Sequence, residues 1–179
     1  MRRLSFLPLL LTLTIALSTV SSTAAAESEA SVGAVLGYNL DLEYPLAGID
    51  ARYAHPVAPM VDVSVQFQAN YYFTDSVQIL GATSRSTLLQ FDLNLLASID
   101  LSLISPYVGV GPALLHNRTR VTSGDTEISS STSTDTGLNV VAGAALKLDG
   151  PIRPFAQFRS TFRDGSAASI MLGVNFVLN

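Results

Sequence analysis

A chain of 179 residues is one domain's worth of polypeptide, and its net charge of −4 excludes a nucleic-acid surface, which needs a basic face. Hydrophobic residues make up 48% and charged residues only 13%, against a charged share of about 25% in typical soluble domains, yet past the N-terminus no apolar run is long enough to cross a bilayer as a helix. Cysteine is absent, which excludes both an acyl-cysteine anchor and a disulfide framework.

The chain opens with Arg2 and Arg3, an apolar run from Leu4 to Val20, and the small-residue stretch Ala24-Ala25-Ala26 before Glu27. That order predicts a cleaved signal peptide over 1–26, leaving 27–179 as a single domain. The apolar run is shorter than the ~20 residues of a spanning helix.

Eight segments then alternate with period two, the pattern of a strand with two different faces. The first two are Ser31–Leu40 and Gly48–His55. The third, Val61–Phe73, sets Val61, Val63, Val65, Phe67, Ala69, Tyr71 and Phe73 against Asp62, Ser64, Gln66, Gln68, Asn70 and Tyr72. The fourth, Thr87–Ile99, sets Leu89, Phe91, Leu93, Leu95, Ala97 and Ile99 against Gln90, Asp92, Asn94 and Ser98, with Leu96 as a breach. Pro106–His116 and Thr136–Leu148 are the fifth and sixth. The seventh, Ile152–Arg163, places Ala156, Phe158 and Phe162 opposite Gln157, Arg159 and Arg163. The eighth, Ala168–Leu178, places Ile170, Leu172, Val174, Phe176 and Leu178 opposite Ser169, Met171, Gly173, Asn175 and Val177. The longer runs match the ~9–11 residues of a tilted membrane strand.

Between the strands, connections of 41–47, 74–86 and 117–135 alternate with shorter ones at 56–60, 101–105 and 149–150, and 164–167 is the last. Loops at one end and tight turns at the other predict an all-β, eight-stranded, antiparallel up-and-down transmembrane barrel with both termini on the periplasmic side. The Ser/Thr-rich segment 117–135 reads as a solvated, mobile surface loop.

The apolar faces of the third, fourth, sixth and eighth strands carry no charge, as lipid contact demands. Val63, Val65, Phe67, Leu89, Phe91, Leu93, Leu95, Ile170, Leu172, Val174 and Phe176 are expected to face lipid. Arg52, Asp62, Gln66, Asp92, Asn94, Lys147, Gln157 and Arg159 are expected to form a polar network in a lumen only wide enough for side chains. Tyr71, Tyr72, Phe73, Tyr107, Phe162 and Phe176 gather near strand ends, as aromatic girdles do.

Pro106-Tyr107-Val108-Gly109-Val110-Gly111, Gly143, and Leu172-Gly173-Val174-Asn175-Phe176-Val177-Leu178 resemble the small outer-membrane β-barrel family typified by OmpA and OmpX. The resemblance implies the bacterial outer membrane, a lipid environment, and a structural, adhesion-like or minor-pore role. It also implies that Gly173, Phe176 and Leu178 serve as the assembly signal read by the insertion machinery, with Leu178 in the usual aromatic slot and Asn179 one residue beyond it.

No metal-ligand cluster or phosphate-binding glycine loop occurs, and no cofactor is expected. His55 falls at a short turn and His116 at the opposite end, too far apart to share a metal. Asp75 and Ser76 with His116 are the one Ser-His-acid candidate, and the expectation is no enzyme activity. Two alternatives stay open: a soluble periplasmic lipocalin-like barrel binding an apolar ligand, and a lipid A-modifying membrane enzyme. A closed barrel is expected to be monomeric.

Overall fold

In a computed structural model the described residues are 28–79, 82–124, 126–163 and 165–178. The segment 1–26 expected to be a signal peptide lies outside them. Nine strands follow in chain order: β1 (Glu29–Asn39), β2 (Tyr44–Ala58), β3 (Val61–Tyr72), β4 (Val77–Ile79), β5 (Ala82–Ile99), β6 (Ile104–Ser123), β7 (Thr126–Leu146), β8 (Ile152–Arg163) and β9 (Gly165–Leu178).

Each strand pairs antiparallel with its neighbours in the order β3-β2-β1-β9-β8-β7-β6-β5-β4, and β3 also pairs with β5. Eight strands therefore close a ring, with β4 a short addition on β5. Closure leaves no open edge through the ring itself, the condition for burying a sheet in lipid.

Period-two alternation fixes the facing. Along β3, Ser64, Gln66, Gln68, Asn70 and Tyr72 are buried, while Val65, Phe67 and Tyr71 are exposed. Along β5, Leu88, Gln90, Asp92, Asn94 and Leu96 are buried, and Phe91, Leu93, Leu95 and Ile99 are exposed. The exterior of the ring is thus an apolar belt, and its interior is lined by buried polar side chains that include Gln66, Gln68, Gln90, Gln157 and Arg159.

The segments expected to be loops at the far end are different. Residues 117–135 are not a mobile loop: β6 and β7 stay paired from Leu114↔Thr136 to Ser123↔Thr126, with one register shift between Val121 and Thr122. Residues 74–86 likewise contain β4 and the start of β5, which pairs up to Ala82↔Ser123 with β6. A four-stranded sheet therefore projects beyond the ring. β7 meets β8 only from Leu138↔Phe162 downward. The sequence shows no alternation here because both faces of the β7 extension are exposed. Without a buried face there is no apolar period, although Thr remains a good strand former.

Candidate functional site: the closed interior

The interior is organised around two buried carboxylates. Asp50 on β2 is fully buried and accepts hydrogen bonds from four side chains on three strands. Arg52 Nε (2.8 Å) and Asn175 Nδ2 (2.6 Å) reach its Oδ1, and Gln66 Nε2 (2.6 Å) and Gln68 Nε2 (2.7 Å) reach its Oδ2. A carboxylate offers about four lone-pair sites, so this one is saturated. The second carboxylate, Asp92 on β5, is ion-paired with Arg159 on β8, and neither side chain has any exposure. Gln90 Nε2 also donates to Asp92 (2.8 Å), and Arg159 donates to the Tyr72 hydroxyl (2.8 Å), which in turn donates to Gln90 (2.5 Å).

Several bonds run straight across the ring. β3 and β8 lie four places apart in a ring of eight. Gln66 nevertheless donates to Gln157 Oε1 (3.0 Å), and Gln157 donates to Gln68 Oε1 (3.2 Å). Asn94 donates to Gln66 (3.2 Å), and Tyr107 on β6 donates to Gln157 (3.0 Å). The Arg52 guanidinium lies 4.2 Å from the Phe155 ring centre and 4.8 Å from that of Tyr107, so its exposed faces are covered by aromatic rings.

Apolar caps adjoin this network. Val35, Leu46, Tyr72, Leu88, Phe155 and Met171 form one buried cluster, with Leu42 of the β1–β2 connection and Tyr44 at the start of β2 packed on it. Leu96, Tyr107 and Val141 form another. Two inward glycines receive aromatic rings from the paired strand. A Cβ on Gly173 would lie 2.4 Å from Phe155 Cζ, and one on Gly143 2.6 Å from Tyr107 Cζ. Those rings fill the space a side chain would take.

Of the residues expected in the lumen network, Arg52, Gln66, Asp92, Asn94, Gln157 and Arg159 sit in this connected set. Lys147 does not join it: at the short-turn end it pairs with Asp100. Asp62 lines a polar vestibule at the same end with Lys147 and Arg153, and its backbone carbonyl accepts from Ser98. The Lys147 hydrogen bond holds the Asp100 carboxyl below its ordinary range. Partial burial opposes that shift, and the Ser102 N–H supports it.

Period two located the interior of β3, β5 and β8 and put Asn175 on the inward side of β9, but Asp50 and Asn139 were not among the residues expected inside. Asp50 shares the parity of Arg52, and that signal was present on a strand where Gly48 and Ala51 leave both faces weakly marked. Tyr72 and Tyr107 were expected in the aromatic girdles and instead point inward at 1% and 5% exposure. Tyr72 has the parity of Gln68 and Asn70, which overrides its position at a strand end. Tyr71, Phe73, Phe162 and Phe176 are exposed.

Among the residues expected to meet lipid, Val65, Phe67, Phe91, Leu93, Leu95, Ile170, Leu172, Val174 and Phe176 are exposed, and Val63 and Leu89 are half-buried. Of the assembly-signal residues, Phe176 and Leu178 project outward from β9 and Gly173 inward, beneath Phe155. His55 Nδ1 lies 2.9 Å from Ser28 Oγ, and His116 Nδ1 lies 3.1 Å from Thr134 Oγ1. Among the described residues His116 makes no hydrogen bond to Asp75 or Ser76.

A family model described as outer membrane protein beta-barrel domain matches residues 10–176. No curated protein matches the chain. Among solved structures, Ail, the attachment invasion locus protein of Yersinia pestis, superposes with a TM-score of 0.63 at 15% identity, covering 87% of this chain and 100% of that one. A major outer membrane protein from Thermus thermophilus gives 0.64 at 13% identity, over 86% and 100%. The N-terminal β-barrel domain of Pseudomonas aeruginosa OprF gives 0.58 at 14%, over 84% and 97%. At these identities the likeness carries the fold. An apolar exterior around a hydrogen-bonded interior is the reverse of a soluble ligand-binding barrel, and that alternative falls.

Proposed function

Because this chain belongs to the outer membrane protein β-barrel domain family and lies in the bacterial outer membrane, we propose that it is a non-enzymatic integral barrel with a structural and adhesion-like role, conducting little. The observation that carries this reading is the interior itself. Asp50, Arg159 and Asp92, with the glutamines between them, bridge opposite walls, and Leu46, Leu88 and Tyr72 pack over the far end. A channel needs a continuous aqueous path, and eight strands enclose only enough space for side chains.

The projecting β4–β7 sheet is the part offered to the surroundings. It is rich in Ser and Thr and held by strand pairing, so it presents a shaped surface. On this reading the ring is monomeric, Val65, Phe67, Leu93 and their neighbours contact lipid, and β9 with Gly173, Phe176 and Leu178 engages the assembly machinery. The non-enzymatic part of the reading is supported by the pairing of His116 with Thr134. Ser76→Ala and His116→Ala variants should leave lipid A acylation unchanged.

Conductance tests the reading. The protein in a planar bilayer should give no stable steps in molar salt. Steady, reproducible openings from the unmodified chain would replace a structural role with a pore.

A further inference from the structure

The outward face of the projecting sheet changes character at one level on three adjacent strands. Read upward along β6, its outward residues are Leu114, His116, Arg118 and Arg120; along β5 they are Phe91, Leu89, Thr87 and Arg85; along β7 they are Leu138, Thr136, Thr134, Thr132 and Ser130. The register aligns them in rows: Phe91–Leu114–Thr136, then Leu89–His116–Thr134, then Thr87–Arg118–Thr132, then Arg85–Arg120–Ser130. Phe91, Leu114 and Leu138 belong to the exposed apolar belt. Arg85, Arg118 and Arg120 are exposed above it on the same face, because alternate residues share a face.

Arg85 and Arg120 are directly opposed across strands. Like charges so placed destabilise a sheet, and the chain carries them nonetheless. Glu127 reaches Arg120 at 2.8 Å, with both side chains more than 40% exposed, so the pair is weak and sets one carboxylate against three guanidinium groups among the described residues. Among the described residues no carboxylate lies within ion-pair distance of Arg85 or Arg118. Around the three guanidinium groups stand Thr87, Ser130 and Thr132, hydroxyl donors with no apolar role at these positions.

Height fixes what this surface meets. The Leu89–His116 row is in register with Tyr71, whose ring packs edge-on against Phe73 at the rim. At about 3.3 Å per residue and a tilt near 40°, Arg118 stands about 5 Å above that row and Arg120 about 10 Å. The polar headgroup layer is about 5–7 Å deep on each side of the hydrocarbon. Arg118 therefore falls inside it, and the Cα atoms of Arg85 and Arg120 a few ångströms beyond it, from where their long side chains reach back toward the headgroups.

We propose that Arg85, Arg118 and Arg120, with the flanking Thr87, Ser130 and Thr132 hydroxyls, form a site on the barrel's outer flank for the phosphate group of a surrounding lipid. Planar guanidinium groups grip phosphate oxygens with paired N–H donors, and the belt below holds the acyl chains of the same molecule. The proposal rests on the membrane placement of the ring and is independent of an adhesive role.

The test uses the full mature chain refolded in uncharged maltoside micelles, titrated with phosphatidic acid, with the matching diacylglycerol, and with inorganic phosphate. Binding is read by native mass spectrometry. The unmodified protein should retain phosphatidic acid well above diacylglycerol, and 1 M salt should weaken that retention. Each arginine near an anionic surface contributes about a fivefold gain. Arg85→Gln with Arg118→Gln and Arg120→Gln should therefore lose affinity on the order of a hundredfold. Arg153→Gln at the opposite end should keep it, although it removes the same kind of charge. If the triple variant does not fold, as judged by heat-modifiable mobility, Arg85→Gln and Arg118→Gln alone should each lose about fivefold. Equal binding by the arginine variants, equal retention of diacylglycerol, or competition by inorganic phosphate at the same concentration as the lipid would each overturn the site.

Discussion

Arg159 and Asp92 show how much depends on single side chains inside this ring. Both are removed from water entirely, so neither charge tolerates losing the other. Arg159→Ala should cost about 3–5 kcal/mol, because it leaves Asp92 buried and unpaired. Replacing the pair together, Arg159→Met with Asp92→Leu, should recover most of that loss, since apolar substitutes of similar size are often neutral or better. Urea unfolding from lipid vesicles measures both. The same logic at the short-turn rim has a pH signature. Lys147 holds the Asp100 carboxyl below its ordinary range. Its stabilisation is therefore complete above that range and disappears as pH falls through the depressed value. The stability difference between the unmodified chain and Asp100→Asn should be small, because both partners are about one-third exposed. It should be largest near neutrality and should vanish in acid.

At the scale of the strand, what was legible in the sequence was whatever burial had patterned. β3 and β5 alternate because one neighbour row is apolar and the other polar, and Val65, Leu93, Gln66 and Asp92 could be placed from parity alone. The β6–β7 extension could not be seen as strands, since Ser129 to Thr136 are exposed on both faces and leave no period. Asp50 escaped notice for the opposite reason: it is central, but its strand carries small residues that blur the alternation. Tyr72 and Tyr107 show that parity outranks proximity to a strand end. Two consequences are testable. Val65→Arg or Leu93→Arg should block assembly, because a midplane guanidinium on the lipid side costs roughly 2–4 kcal/mol; normal heat-modifiable mobility would contradict the facing. Removing residues 119–133 and closing the hairpin with a short turn should leave the barrel folded, because that segment pairs only with the projecting ends of its neighbours. Loss of folding would show that the projection supports the ring.

For the whole molecule, one division governs fold, location and role: hydrocarbon outside, bridged polar groups within. It accounts for the closed ring, for the absence of an apolar pocket along the axis among the described residues, and for a surface that a membrane must cover. The chain contains no cysteine, so the division is directly measurable one position at a time. Single cysteines at 64 through 69 and 93 through 96, each labelled with a small fluorophore in lipid vesicles, should be quenched by acyl-chain nitroxides at 65, 67, 69, 93 and 95. The intervening positions should resist quenching. Quenching without a two-residue period, or strongest at 66, 68 and 94, would contradict the account.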